Sequence, residues 1–182
     1  MDRSSEFEDT RNVEDRFKGW KHEDIVTYLD DHGVMLEIAI ENLTRDFNMG
    51  TIVRTANAFG VRRLHVVGRK QWNKRGAMAT DKYLHIIYHA TVDDFVRAVR
   101  DDDRALIAID NVKGAHNLSS VKLHERATLV FGSEADGLSD EMLNVCLRVV
   151  AIEQFGSTRS INVGVAAGIV MYQWIRQNRL HA

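Results

Sequence analysis

The residues best suited to chemistry lie in the last third of the 182-residue chain. There the loop from Gln154 to Ser160 sets Gly156, Ser157, Thr158, Arg159 and Ser160 between an apolar run and a long apolar helix. Small and polar residues after a buried strand offer backbone N–H groups and hydroxyls to a ligand, and a helix N-terminus adds donors aimed at anions. Surface turn chemistry is the alternative reading of the same residues. A second candidate is Arg54, six residues after Asn48 and within the first turns of a helix. The helix macrodipole favours anions at that end. Arg54 is therefore either a surface cation or a group aimed at a phosphate. The third candidate is a run of seven cations, Arg62, Arg63, Arg69, Lys70, Lys74, Arg75 and Lys82, opposed only by Asp81. Trp72 and Tyr83 are interleaved with them, which suits phosphate contact plus stacking on unpaired bases. A solvated basic loop is the alternative.

The whole chain carries a net charge of −2, so it does not grip a polyanion with its entire surface. An apolar share of 45% with 27% charged residues suits a globular domain with a proper core. No apolar run reaches the length of a membrane span, and MDRSSEFEDTRNVEDRF is too polar for a secretory signal. Cys146 is the single cysteine, which rules out an intrachain disulfide and suits a reducing, cytoplasmic setting. It reads as a small packed side chain. His85 and His89 share one face of a short strand, but no third ligand is near, so no metal is expected. Phosphate-loop, nucleophile-elbow, HExxH and CxxC signatures are all missing.

Positioning these residues requires alternating strands and helices. Residues 1 to about 20 read as a charged, partly disordered arm anchored by Phe17 and Trp20, followed by a short helix over Lys21 to Asp31 that Gly33 ends. Apolar runs predict strands at Val34 to Ile40, Arg63 to Val67, His85 to His89, Ala105 to Ile109, Thr128 to Phe131 and Val149 to Ile152. Between them the 3.6-residue pattern predicts a helix after Asn48 closed by Gly60, one capped by Thr91 and one from Ser139 to Leu147. Repeated βαβ order predicts an α/β fold with a largely parallel sheet flanked by helices. We divide the chain into an arm with its helix, 1–33, and a single domain, 34–182.

Three stretches then become recognisable. NMGTIVRTANAFGV, LVFGSEADGLSDEML and IEQFGSTRSINVGVAAGIVMYQW resemble, in order and spacing, the signature motifs of the SpoU/TrmH class of RNA ribose 2′-O-methyltransferases, in the SPOUT superfamily. The resemblance runs from about Glu37 to Ile175. It implies a C-terminal deep trefoil knot, a topology that chain patterning does not foresee. It further implies S-adenosylmethionine held by Gly132, Ile152 and Ile161 with Ile109 and Asp110 beside the adenosine, a homodimer, and tRNA or rRNA as substrate. Asn48, Arg54, Glu134, Ser160 and Asn162 match the polar site residues of the class. Arg54 corresponds to the arginine proposed to act on the ribose hydroxyl. A guanidinium is normally a donor only, so a phosphate-binding and alkoxide-stabilising role is preferred, with proton abstraction left open. Glu153 stands where the class often has proline, which brings the rigidity of the cofactor loop into question. A separate N-terminal RNA-binding domain is common in the class. Here RNA selection is expected to lean on the arm and the basic loop. A catalytically silent RNA-binding dimer and a small-molecule nucleotide binder are the competing functions.

Overall fold

Residues 127–131 alternate across a sheet buried on both faces, and this one strand explains the layering. Leu129 and Phe131 join the core under one pair of helices, while Val130 joins the core under the other. Such continuous apolar runs belong to parallel sheets covered on both sides. The computed structural model describes residues 9–42, 48–100, 103–133 and 137–180. Within them seven strands form one parallel sheet: β1 (Glu37–Asn42), β2 (Arg63–Gly68), β3 (His85–His89), β4 (Ala105–Ile109), β5 (His116–Asn117), β6 (Ala127–Phe131) and β7 (Arg148–Ala151). Their spatial order is β3-β2-β1-β6-β4-β7-β5. The helices are α1 (His22–His32), α2 (Met49–Ala58), α3 (Val92–Arg100), α4 (Asp140–Val145) and α5 (Val163–Ile175). Helices α2 and α5 cover one face, and α3 and α4 cover the other.

Local chemistry explains the helix ends. Thr91 Oγ1 accepts from Asp94 N at 3.1 Å, and Ser139 Oγ accepts from Met142 N at 3.1 Å, so both predicted caps form. Ser139 is itself held by the buried Glu41, whose carboxylate accepts from Ser139 N and Oγ at 2.8 and 2.6 Å. Helix α4 stops at Val145, leaving Cys146 as an extended C-cap rather than a helical residue. Burial pushes the Cys146 thiol up to about 12, with the Glu41 carboxylate adding to the effect, so it is an inert packed group.

Two expectations need correction at the start of the chain. The first strand begins at Glu37, three residues after Val34, which forms only an isolated bridge to Val61. Glu37 is buried because Arg104 and Arg63 reach its Oε1 at 3.0 and 3.3 Å and His65 reaches its Oε2 at 3.0 Å. Gly33 follows α1 but is extended, not left-handed. Its need for glycine is steric, since a Cβ there would meet Arg62 Cγ at 2.3 Å. The first eight residues of the arm lie outside the described residues. Phe17 is buried with Ile25 and Tyr83, and Trp20 meets Phe17 edge-to-face at 5.5 Å.

The last helix is fastened at both ends. Asn162 Oδ1 caps its start, accepting from Gly164 N and Val165 N at 3.0 and 3.2 Å. At its far end Trp174 is 1% exposed and donates Nε1 to His124 O at 2.9 Å. Gln177 then accepts from Leu123 N and donates to Val121 O, at 2.8 and 2.9 Å. Along its length α5 meets α2 through small residues. A Cβ on Gly164 would stand 3.2 Å from Thr51 Cγ2, and Gly168 faces Thr55. This contact fixes where the α2 side chains stand relative to the α5 N-terminus.

Candidate functional site

Strands β6, β4 and β7 are neighbours and run parallel, so their carboxyl ends lie side by side. The loops leaving them enclose a cavity of about 660 Å³. Open α/β sheets place ligands at this edge. Ile109 and Asp110 line it from β4, Gly132 from β6, and Ile152, Ser160, Ile161 and Asn162 from the segment after β7. Expected cofactor-side residues are thus brought together around one volume.

Each wall is held by a named contact. Asp110 Oδ2 accepts from Leu138 N at 3.0 Å, tying the β4 end to the loop after β6. That loop closes on itself where Ser133 and Gly137 exchange two backbone hydrogen bonds of 3.1 Å. Gly132 lies beneath the closure, and a Cβ there would meet the Gly137 carbonyl at 2.2 Å. Its glycine is therefore demanded first by the loop's own backbone. Asn111 Nδ2 donates to Arg159 O at 3.0 Å, tying β4 to the loop after β7. Glu153 accepts from Ser119 N at 3.2 Å and also from Ser119 Oγ. The Ser119 hydroxyl bond holds the Glu153 carboxyl below its usual range. A hydrogen-bonded tether thereby restrains the position where the class often has proline. Gln154 also lines the cavity, and its buried Oε1 has no partner among the described residues.

The polar residues of the first motif reach this cavity through one bond. Asn48 sits at the start of α2 without capping it, and its Oδ1 accepts instead from Asn162 Nδ2 at 3.0 Å. Arg54 is exposed on the same helix, outside the cavity lining. Glu134 lies outside the described residues. Sequence reasoning missed Asn111 and Leu143 in the cavity wall, while Gln154 opens the loop already singled out there. Of the two, only Asn111, directly after a strand end, carried a readable signal.

The basic stretch does not form one surface. Arg62 is 8% exposed and its Nε donates to Asp30 Oδ1 at 2.8 Å. Burial alone would raise the Asp30 carboxyl, but the Arg62 and His85 hydrogen bonds outweigh it and hold it low. Arg63 opens β2 beside Glu37, at the amino edge of the sheet. At about 3.3 Å per residue, the strand carries the chain roughly 20 Å to the carboxyl edge. Arg69, Lys70, Lys74 and Arg75 follow there, all exposed. The predicted loop contains two 3₁₀ turns, Lys74–Ala77 and Thr80–Tyr83. Gly76 and Ala77 press on the first turn of α2, where a Cβ on Gly50 would meet Ala77 N at 2.7 Å. The interleaved aromatics are partly withdrawn. Tyr83 is buried against Phe17 and Ile25, and Trp72 packs on the main core while holding Tyr88 Oη at 3.3 Å. Lys74 is paired with Asp81 at 3.0 Å.

His85 and His89 do not converge. His85 binds Asp30 at 2.8 Å, whereas the buried His89 meets His65 Nδ1 at 2.9 Å. Among the described residues no group of His, Cys, Asp or Glu is arranged to hold a metal ion. Among them, too, no helix is long and apolar enough to cross a membrane.

A parallel α/β sheet with a ligand cavity built from three carboxyl-edge loops, the last leading into the final helix, defines the class of protein. Residues 35–172 match the SpoU rRNA Methylase family, and the chain belongs to that family. Its fold is the knotted α/β fold of the SPOUT class. It is 30% identical to the 23S rRNA (guanosine-2′-O-)-methyltransferase RlmB of Neisseria meningitidis, over 90% of this chain and 72% of that protein. It is 24% identical to the tRNA (guanosine(18)-2′-O)-methyltransferase of Escherichia coli over 79% of this chain, and spans 64% of that relative's length. The TrmH/SpoU tRNA modifying enzyme of A. aeolicus superposes with a TM-score of 0.74 at 25% identity, covering 86% of this chain and 83% of that one. The SpoU methyltransferase AviRb of Streptomyces viridochromogenes, in complex with AdoMet, superposes with a TM-score of 0.70 at 25% identity, covering 80% and 61%.

Proposed function

We propose that this protein transfers a methyl group from S-adenosylmethionine to a ribose 2′-hydroxyl of tRNA or rRNA. The observation that carries this reading is the Asn162–Asn48 hydrogen bond. It joins a residue of the cofactor-sized cavity to the start of the helix that bears Arg54. The cavity suits the cofactor on its own chemistry. Ile109, Phe131, Leu143 and Ile152 offer an apolar wall to a purine, and the unpartnered Gln154 Oε1 calls for an N–H donor such as an amino group.

When bound, S-adenosylmethionine supplies the electrophilic methyl. Asp110 and Asn111 hold the two loops that close around it. Ser160, in the cavity wall, positions the ribose. Arg54 binds the neighbouring phosphate and stabilises negative charge developing on the 2′-oxygen, a role open to a group that only donates. Glu134 belongs to the same set by its motif position. Arg69, Lys70, Lys74 and Arg75 contact RNA phosphates at the carboxyl edge. The 34–182 region is the methyltransferase domain, and residues 9–33 pack against it through Phe17 and Ile25.

The active form is a homodimer. Val165, Ile169 and Tyr172 recur at helical spacing on the exposed face of α5, and Phe155 beside the cavity loop is 96% exposed. An apolar stripe of this kind buries well against a second copy. A cytoplasmic setting follows from the RNA substrate. The test is methyl incorporation from tritiated S-adenosylmethionine into total RNA, followed by ribose-methylation mapping in a deletion strain. Cofactor binding without incorporation into any RNA would favour the catalytically silent RNA-binding dimer.

A further inference from the structure

A second cavity, of about 650 Å³, opens where the N-terminal segment meets the turns after β2. Arg11, Asn12, His22, Met78, Lys82 and Tyr83 line it. The lining joins two flat rings to two cations. His22 and Tyr83 stand 4.9 Å apart, tilted by 45°. The Arg11 guanidinium is held in place by Asp9 and by Trp20 O, the latter at 2.9 Å. Lys82 is exposed and has no anionic partner among the described residues.

The backbone beside the cavity is strained. Met78 and Ala79 are consecutive non-glycine residues with φ of 49° and 63°. Left-handed backbone is unfavourable for most side chains, and it persists only where the surroundings impose it. The imposing contact is visible one residue earlier. Ala77 and Gly76 are pressed against Gly50 at the start of α2, the turn that also carries Asn48. The chain thus leaves the catalytic turn and presents Met78, 56% exposed, directly to the second cavity. A flexible thioether beside two rings makes an adaptable apolar platform.

We propose that this cavity takes an unpaired base of the substrate RNA, a few nucleotides from the ribose that is methylated, with the adjoining phosphate on Lys82. The inference rests on the RNA reading of the main site. Apolar walls with rings match the base, and the cations match its phosphate. Met78 directly follows Ala77, which packs on Gly50 two residues after Asn48, so the second cavity adjoins the first turn of α2.

The probe is a pool of tRNA and rRNA transcripts carrying 5-iodouridine, cross-linked by light to the 182-residue protein and mapped by mass spectrometry. Adducts on peptides containing His22, Met78 or Tyr83 are expected. Replacing both exposed residues, Met78→Ala with Lys82→Ala, is expected to weaken binding of the same pool about tenfold, the scale of one lost base stack. S-adenosylmethionine binding is expected to stay unchanged in that variant, which reports on its folding. Adducts confined to residues 69–75 or to α2, with unweakened binding in the variant, would overturn the second cavity and leave the RNA reading standing. No retention of the pool by the wild-type protein would overturn both.

Discussion

Asn162 Nδ2 donates to Asn48 Oδ1 at 3.0 Å, while the other end of the same amide caps α5. One side chain therefore ends the cofactor loop, starts the final helix and sets the first-motif asparagine 114 positions earlier in the chain. The two jobs separate by mutation. Asn162→Ser keeps a capping oxygen but is too short to reach Asn48. It is expected to retain stability while losing methyl transfer. Asn162→Ala removes both contacts and should cost about 1 kcal/mol of stability besides. Urea unfolding beside single-turnover rates measures both. Equal stability loss in Ser and Ala would show that capping is not what the amide oxygen contributes.

Asp110 offers a second separation. Its carboxylate holds Leu138 N, and charged hydrogen bonds of this kind contribute about 1.5–3 kcal/mol. Asp110→Ala is expected to weaken S-adenosylmethionine binding by about tenfold or more, because the loop after β6 loses its tether. Gly132→Val disturbs more than the cofactor pocket. It drives side-chain atoms into the Gly137 carbonyl and is expected to lower the melting temperature as well as the affinity. Calorimetric titration paired with thermal melts checks both variants. Unaltered cofactor binding in Asp110→Ala would remove the tether from the mechanism.

Acid sensitivity should trace to His89. Burial, then the neighbouring His65, lowers its pKa, and Asp94 opposes them weakly. The folded state therefore resists protonation that the unfolded chain accepts at about pH 6.5. Above that value both states are neutral and this contribution is fully present. As pH falls through 6.5 the unfolded chain binds the proton first, so stability declines until the lower folded value is passed. Urea midpoints between pH 7.5 and about pH 5 should fall for wild type and flatten for His89→Gln. The same slope in both proteins would assign the loss elsewhere.

The layering of the fold was legible because apolar runs and caps are local. Thr128 to Phe131 and the Thr91 and Ser139 caps depend on neighbours a few residues away. Arg62 and Tyr83 were misread for the opposite reason. Their fates are set by Asp30, 32 residues distant from Arg62, and by Phe17 and Ile25. A count of cations along the chain does not say which of them face a buried carboxylate. Glu37 and Glu41, polar yet buried, blurred the edges of β1 in the same way. The two-residue β5 is too short to impose any period. At the site, the three motifs marked the loops, but the partner of each side chain was fixed by how β6, β4 and β7 lie together.

The role of Arg54 admits the sharpest test. It is exposed on α2, on a helix held against α5 through Thr51 and Gly164. If it binds phosphate and stabilises an alkoxide, lysine in its place keeps a positive charge but loses the planar fork. Arg54→Lys should then be slower with an unmoved pH profile. If Arg54 instead removes the hydroxyl proton, exchanging an arginine for a lysine lowers the pKa of the base by about 2 units or more and shifts the ionisation step. Arg54→Ala is expected to lose on the order of 2.7–4 kcal/mol of transition-state stabilisation, as when one oxyanion donor is deleted. Cofactor affinity should hold in both variants, since Arg54 is outside the cavity lining. Single-turnover methyl transfer against pH, with the cofactor saturating, distinguishes the two roles. Full activity in Arg54→Ala would remove this arginine from the chemistry and leave the Asn48–Asn162 pair and Ser160 to position the ribose alone.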